Sequence, residues 1–281
     1  MMDPRTNQPS PQLVIEPTQG FASLKLRELW EYRELLYFLV WRDVKVRYKQ
    51  TALGVAWVVL QPLVATLIFT VVFGQLAKMP SGDLPYPLFA FSGLLPWNYF
   101  AGALTRSGTS LVNNANLITK IYFPRLVIPM AGVINGLIDF SISFLVLIVL
   151  MIYYGVAPGW AVLTLPLFLL MAIGTALGVS LWLSALGVRY RDVNQLLPFL
   201  VQVWMYATPV VYPASLFPER WRPFLGLNPM AGVVEGFRWA LTGSGDAPGA
   251  LLGISASIVL VLLVSGAIFF RNTERTFADV V

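Results

Sequence analysis

Long apolar runs alternate with short polar connections along most of the chain. The runs occupy residues 52–74, 86–105, 127–153, 161–187, 195–212 and 250–270. Each is close to the roughly 20 residues that one bilayer crossing requires, so the pattern predicts an all-α membrane protein with six transmembrane helices. Pro198, Pro209 and Pro213 bound or interrupt the short fifth run, and we expect that helix to be broken or tilted.

The N-terminal region divides into two parts. Residues 1–23 are polar and contain four prolines without apolar periodicity, which predicts a disordered cytoplasmic arm. Residues 24–50 place apolar side chains near helical spacing between cations, which is typical of an amphipathic helix in the membrane interface. An ordinary amphipathic helix packed on a partner protein is the alternative. We expect residues 24–281 to form one transmembrane domain.

Composition supports membrane insertion and excludes several kinds of chemistry. Hydrophobic residues make up 57% of the 281 residues and charged residues 12%, whereas a soluble domain carries about 25% charge. The chain contains no Cys and no His, which excludes a thiolate nucleophile, an imidazole base and a His/Cys zinc site. No lysine follows a glycine, so the Gly-Lys pair of a P-loop is missing. Most familiar active sites are therefore excluded, we expect no bound cofactor, and if ATP drives this protein another chain must hydrolyse it.

Cations are concentrated on one side of this topology. All but four of the 19 Lys and Arg residues lie in the N-terminal region, the second and fourth connections, and the tail. The four on the other side are Lys78, Arg220, Arg222 and Arg238. Because cytoplasmic segments carry the excess of Lys and Arg, we expect both termini to be cytoplasmic.

Two connections carry candidate functional residues. Residues 113–129 join a short helical stretch to a cationic, aromatic end; this suits a docking surface, and a solvated basic loop is the alternative. Residues 213–249 are too long for a hairpin and rich in aromatic side chains, which predicts short helices re-entering the outer interface. There, Glu235 and Arg238 have a spacing that permits an ion pair. The segment could cap a pore or form a passive interfacial lid.

Asp139 is the one acid well inside a predicted span. It shares a helical face with Asn135 and Ser143, and an intramembrane carboxylate is by default a functional candidate. We interpret it as a structural hydrogen-bonding group, because no basic residue lies in the core of any predicted span. On this interpretation Asp139→Asn retains substantial function.

The fourth span repeats small residues at helical spacing. Gly174 and Gly178 form a G-x-x-x-G pattern, and small residues allow helices to approach closely. We interpret the pattern as helix packing. The other members are Ala172, Ala176, Ser180 and Ser184.

One face of the fifth span is polar and aromatic. Its members are Gln195, Phe199, Gln202, Tyr206 and Pro209, spaced by four, three, four and three residues. They form a single stripe on a helix. Two amides and a phenol are costly in lipid unless they meet protein or water, so we predict that this stripe lines a polar path through the membrane. Packing on a neighbouring helix is the alternative. We expect lipid to contact the aliphatic residues opposite, Leu197, Leu200, Val201, Val203 and Val211.

Six ordered segments resemble one family and together cover nearly everything after residue 30. They are RDVKVRYKQTALGVAWVVLQPL (42–63), LITKIYFPRLVIP (117–129), RYRDVNQLLPF (189–199), TPVVYP (208–213), LNPMAGVVEGFR (227–238) and ERTFADVV (274–281). They resemble the permease subunits of bacterial ABC exporters of polysaccharides, the O-antigen (Wzm-like) branch of the ABC-2 type transporters.

The resemblance implies a transport subunit that is not an enzyme: a homodimeric permease paired with two copies of a separate P-loop ATPase, which binds ATP and Mg. The pair would move lipid-linked polysaccharide from cytoplasm to periplasm across the bacterial inner membrane; no nucleic acid is expected as a partner. The resemblance identifies residues 24–50 as an interface helix, with a coupling helix within 113–125 and periplasmic gate helices within 213–249.

Individual residues follow from these assignments. We expect ATPase coupling by Asn116, Lys120, Tyr122 and Arg125. We expect the periplasmic gate to include Trp221, Asn228, Glu235 and Arg238. For a polysaccharide channel, the alternating amides and aromatic rings of the fifth-span stripe match the two surfaces of a sugar, and we expect the stripe to line the translocation channel. Trp57, Phe69 and Phe73 are expected to join it in the channel wall.

Three other functions remain as alternatives. An ABC permease for a smaller lipid or drug would share the fold and the ATPase. A secondary transporter would show internal repeats and several intramembrane charges, neither of which we find in the sequence. A membrane glycosyl- or acyltransferase is disfavoured because the chain has no histidine and no Asp-x-Asp motif.

Overall fold

The computed structural model describes residues 26–49, 54–82, 84–190, 192–243, 247, 249–274 and 277. Within these ranges all regular structure is helical, which confirms the predicted all-α class. Four of the described helices are long and apolar enough to cross a membrane: Ala56–Leu76, Val127–Tyr153, Trp160–Arg189 and Gly249–Glu274. The predicted N-terminal arm, residues 1–23, lies outside the described residues.

The predicted interface helix consists of two helices separated at Tyr32: α1 (Leu26–Glu31) and α2 (Arg33–Lys49). Helix α2 packs along the bundle against α7 (Val127–Tyr153) and buries Leu39 there. Its other side exposes Phe38 and Trp41. Exposed aromatic side chains beside cations suit a headgroup environment, and location in the interface stays a prediction.

The first predicted span is α3 (Gly54–Phe69), which continues as a π-helical segment, Thr70–Leu76. Next comes α4 (Tyr86–Gly108), which lies at the centre of the bundle and contacts α3, α7, α8 (Leu165–Arg189) and α11 (Pro229–Thr242).

The second and fifth predicted spans are not among the four long apolar helices. The predicted second span lies within helix α4. Most side chains of α4 are buried against other helices. The fifth is α9 (Asp192–Ala207), with 16 residues. That length corresponds to about 24 Å, less than the roughly 30 Å of a bilayer core. The six-span count therefore stays a prediction.

Helices α8 and α12 (Gly249–Glu274) pack closely through glycine. A Cβ atom on Gly266 would lie 2.4 Å from the carbonyl oxygen of Gly178, and one on Gly174 would lie 2.8 Å from Val259. No larger residue fits at this crossing without moving a helix. The predicted packing role of the small residues in the fourth span is confirmed. All four Ala and Ser members of the pattern are buried.

Short elements complete the chain. Helices α5 (Ser110–Asn113) and α6 (Ala115–Lys120) follow α4, and a 3₁₀ turn, Trp160–Thr164, leads into α8. After α9 come a second 3₁₀ turn, Ala214–Leu216, then α10 (Arg222–Leu225) and α11. Short helices thus occupy the described part of 213–249, and their role as a gate stays a prediction.

Local sequence explains both ends of α11. The Asn228 side chain accepts a hydrogen bond from the backbone N–H of Met230 and caps the first turn, while Pro229 occupies the first helical position, where no N–H is needed. At the other end Gly243 has a φ of 65°, the left-handed conformation that commonly ends a helix.

Buried apolar side chains form two clusters. The larger surrounds α4 and includes Phe91, Phe100, Phe168 and Phe237. The smaller includes Leu39, Leu111 and Phe270, where α2, α5, the start of α7 and the ends of α8 and α12 meet. We call this second region the basic end, because Arg47, Arg106 and Arg125 lie beside it.

Candidate functional site

The carboxylate of Asp139, in α7, accepts hydrogen bonds from three side chains at the basic end. Nη1 of Arg47 lies 2.7 Å from Oδ2, and Nη1 of Arg106 lies 3.2 Å from the same oxygen. The hydroxyl of Tyr48 lies 2.5 Å from Oδ1. Because Arg47 and Tyr48 belong to α2 and Arg106 to α4, one carboxylate joins three helices.

The expectation that Asp139 has no cationic neighbour was wrong. Helix α4 extends beyond residue 105 to Gly108, which brings Arg106 within reach of α7. Helix α2 lies along α7 and presents Arg47 from the other side. Burial, together with the hydrogen bond to Asp139, raises the pKa of Tyr48 to about 12. The phenol therefore remains a neutral donor at physiological pH.

A cavity of about 540 Å³ opens beside this cluster, between α2, α4, α5 and α7. Its lining includes Arg42, Arg47, Arg106 and Asn135. Nη2 of Arg42 donates to Oδ1 of Asn114 at 3.0 Å, so the cavity wall also connects α2 to the residue that precedes α6. In the sequence, Arg42 and Arg106 are only two members of the predicted cytoplasmic excess of Lys and Arg. No local pattern shows that these two side chains lie close together in the fold.

The four predicted coupling residues lie close together in the chain but have different environments. Asn116, Lys120 and Tyr122 are exposed, Tyr122 to 91%. Arg125 is instead partly buried: its guanidinium donates to the carbonyl oxygen of Glu274, and its backbone N–H donates to Oε1 of Glu274 at 3.2 Å. Three of the residues are therefore available to a partner, and Arg125 holds the loop on α12.

Four of the five members of the predicted stripe are exposed on α9, whereas Pro209 follows that helix and is buried. Gln195 and Gln202 are exposed, as are Phe199 (62%) and Tyr206 (56%). The described protein thus presents amides and aromatic rings together on an outer surface. Their role in a channel stays a prediction.

The expectation that lipid contacts the opposite face of the fifth span was wrong for most of that face. Leu197 is only 1% exposed and packs beside Gly108 of α4, Val211 is buried, and Val201 is partly buried against the larger core. Because α9 must bury one apolar side to join the bundle, this aliphatic face is used inside the protein. Leu200 and Val203 are exposed.

The three other predicted channel residues are not brought together. Trp57 is exposed near the start of α3. Phe69 and Phe73 lie more than ten residues further along, partly buried against the larger core, with ring centroids 5.7 Å apart in an edge-to-face pair. The structure places only Phe69 and Phe73 in contact.

Arg238, at the end of the bundle opposite the basic end, is a buried anchor. It is 4% exposed, and its Nη1 lies 3.1 Å from Oε1 of Glu235, which confirms the predicted ion pair. The guanidinium also donates to the carbonyl oxygens of Pro209 and Val210, and it lies 3.8 Å from the ring centroid of Phe89. It therefore ties α11 to α4 and to the chain that follows α9.

The remaining predicted gate residues lie in contrasting environments. Oδ1 of Asn228 accepts from the indole N–H of Trp204 at 2.9 Å, and its Nδ2 lies 2.8 Å from Oγ1 of Thr208. Asn228 thus joins α9 to α11. Trp221 is exposed, with Phe224 beside it. Sequence reasoning missed Trp204, which no short motif marks.

Comparison with known proteins gives a consistent family assignment. A family model described as ABC-2 type transporter matches residues 34–242. The O-antigen export system permease protein RfbA of Myxococcus xanthus is 34% identical over 262 residues, covering 90% of this chain and 98% of that protein. RfbA of Klebsiella pneumoniae is 29% identical over 248 residues, covering 88% and 95%. The polysialic acid transport protein KpsM of Escherichia coli is 27% identical over 239 residues, covering 83% and 91%.

Proposed function

The chain belongs to the ABC-2 type transporter family, and on that basis we propose that it is the permease subunit of an ATP-driven exporter of lipid-linked, O-antigen-like polysaccharide. Transport runs from cytoplasm to periplasm across the inner membrane. The observation that carries this proposal is 34% identity to an O-antigen export permease, over 98% of that protein.

A permease for a smaller lipid or drug is the alternative within the family. The inner membrane transport permease YadH of Escherichia coli strain K12, whose name gives no substrate, is also similar, but at 22% identity over 73% of this chain. The higher identity and coverage of the O-antigen relative favour a polysaccharide substrate.

We assign the translocation channel to the interface of a homodimer. An amide facing lipid is unfavourable, and Gln195 and Gln202 both lie on the exposed side of α9. If two copies of the chain pair with their stripes in contact, or facing each other across a channel, the amides meet protein, water or sugar instead of lipid. Phe199 and Tyr206 would then offer apolar surfaces to sugar rings.

We assign ATP binding and hydrolysis to a separate subunit, with two copies in the complex. The sequence has no P-loop, and the exposed Lys120 and Tyr122 beside α6 form a surface for docking. On this assignment the basic end faces the cytoplasm, in agreement with the preference of Lys and Arg for cytoplasmic segments.

Reconstitution tests the substrate class. The permease would be coexpressed with a candidate P-loop ATPase subunit, purified as a complex and placed in proteoliposomes. We expect lipid-linked polysaccharide to stimulate ATP hydrolysis and to be transported, whereas the same lipid bearing one sugar has a smaller effect. The ATPase reconstituted without the permease is the control. Stimulation by small lipids or drugs alone would support the alternative permease.

A further inference from the structure

The connection between α6 and α7, residues 121–126, changes from exposed to buried within three residues. Ile121 and Tyr122 are 57% and 91% exposed, whereas Phe123 is 5% exposed and belongs to the smaller apolar cluster. Exposed apolar side chains that lie together suit a partner surface, and Tyr122 is part of the surface proposed for the ATPase. Because the connection lies between two helices, contacts with other parts of the chain must fix the direction in which Tyr122 points.

Glu274, at the C-terminal end of α12, holds the backbone of this connection. Its Oε1 accepts a hydrogen bond from the backbone N–H of Arg125 at 3.2 Å, and its carbonyl oxygen accepts from the Arg125 guanidinium. Carbonyl oxygens at a helix C-terminus lack partners within the helix, and Arg125 satisfies this one. Nη1 of Arg271 lies 3.2 Å from Oε2, so both carboxylate oxygens of Glu274 have donors.

Phe277 contacts the same connection through Arg125. The Phe277 side chain is fully buried in the smaller cluster, which also contains Phe123 and Leu126. Its ring centroid lies 5.4 Å from that of Phe270 in an edge-to-face pair and 5.8 Å from Cζ of Arg125. Both kinds of contact are favourable. Two residues near the end of the chain, Glu274 and Phe277, therefore attach to one residue of the connection.

We infer that Glu274 and Phe277 are positioning residues for docking of the ATPase. Their contacts converge on Arg125, three positions after the exposed Tyr122. Without these contacts the connection samples several conformations, and only some of them present Lys120 and Tyr122 for docking. The apparent affinity for a partner falls in proportion to the fraction that remains competent. The inference rests on the proposed function, because it requires a separate ATPase subunit.

Two measurements on the purified full-length permease test the inference. Hydrogen/deuterium exchange reports how firmly residues 121–126 are held, and binding of the candidate P-loop ATPase subunit to the permease in nanodiscs reports docking. We expect Phe277→Ala and Glu274→Ala each to speed exchange in residues 121–126 and to weaken ATPase binding about tenfold. Glu274→Gln keeps an oxygen that accepts from the Arg125 N–H, so its ATPase binding should stay within about twofold of wild type.

Phe168→Ala is the matched control. Phe168 is a 1% exposed phenylalanine near the start of α8, in the larger cluster. Its truncation removes the same buried ring away from the basic end. Both phenylalanine substitutions should lower the melting temperature. Phe168→Ala should nevertheless leave exchange in residues 121–126 and ATPase binding as in wild type, because it removes no contact with Arg125.

ATPase binding by Phe277→Ala and Glu274→Ala equal to that of wild type would overturn the inference and leave the proposed function intact. An equal loss of binding in Phe168→Ala would also overturn it, because general destabilisation would then explain the effect. A wild-type permease that binds no ATPase subunit would overturn the proposed function as well. Glu274 is partly exposed, so Glu274→Ala tests the inference even if Phe277→Ala fails to fold.

Discussion

At the scale of single residues, Asp139 and Arg238 each connect several segments of the chain, on opposite sides of the bundle. Asp139 joins α2, α4 and α7 by accepting from Arg47, Tyr48 and Arg106. Arg238 joins α4, α11 and the chain after α9 mainly through backbone carbonyl oxygens. In both cases one charged group contacts several partners on different segments, so its removal takes a favourable interaction from each of them.

Asp139→Asn should lower both thermal stability and transport, contrary to the expectation from sequence. The amide keeps the shape of the side chain but leaves two guanidinium groups without their shared counter-charge. Removing one partner of a buried pair costs about 3–5 kcal/mol, and the partial exposure of this pair reduces the expected loss to about 2 kcal/mol. Thermal unfolding of the purified protein measures it. The double variant Arg47→Gln/Asp139→Asn, which restores the charge balance, should recover part of the loss; a single variant as stable as wild type would contradict the prediction.

Gly93→Ala should displace Arg238. A Cβ atom on Gly93 would lie 2.5 Å from Nη2 of Arg238 and 2.8 Å from the carbonyl oxygen of Val210, so the guanidinium or the backbone must move. We expect a lower melting temperature. Gly253→Ala is the matched control, since a Cβ there meets nothing within 4 Å and alanine favours a helix by about 1 kcal/mol. Equal effects of the two substitutions would refute the contact.

At the scale of elements, the segment around α6 is attached to the bundle on both sides. Arg42 of α2 bonds Asn114 just before α6, and Arg125, after α6, bonds Glu274 of α12. Lys120 and Tyr122 lie between these attachments and are exposed. A force applied to this segment by a docked ATPase would therefore reach both α2 and α12.

Charge-reversal substitutions should distinguish residues that dock the ATPase from residues that attach the segment around α6 to the bundle. Lys120→Glu changes an exposed side chain, so we expect weaker copurification of the ATPase with an unchanged melting temperature. Arg125→Glu places a second carboxylate beside Glu274 and should lower the melting temperature as well. Arg220→Glu, an exposed reversal in the chain between α9 and α10, is the control and should change neither quantity. Full ATPase copurification with Lys120→Glu would remove Lys120 from the docking surface.

At the scale of the whole molecule, the described surface leaves α9 with one buried and one exposed face. Leu197 and Val201 pack inward, and the stripe of amides and aromatic rings faces outward. A single chain cannot enclose a channel with an outward stripe. The proposed function therefore requires a second copy to complete the path.

Single-cysteine labelling tests this arrangement, and the natural absence of cysteine provides a clean background. We expect cysteines at 195, 199, 202 and 206 in the assembled transporter to react with small aqueous thiol reagents and to be protected by substrate. A cysteine at the buried position 197 is the control and should not react. Reaction confined to the exposed positions 200 and 203 would place the path on another face of α9.

The sequence by itself determined the helical class, the segregation of cations, the close packing of the fourth span and the ion pair of Glu235 with Arg238. These follow from composition and from spacing within one helix, because such spacing sets which side chains share a face. The family could also be recognised from the sequence, because six ordered segments that resemble it cover most of the chain.

Only the tertiary structure decided which distant residues meet. Arg47 and Asp139 are 92 positions apart, and Arg125 and Glu274 are 149 apart, so no local pattern relates them. The sequence also did not determine which face of α9 packs inward, because aliphatic side chains suit lipid and the protein interior equally well. Burial against a particular neighbour depends on how the helices are arranged, and periodicity identifies a face without identifying what covers it.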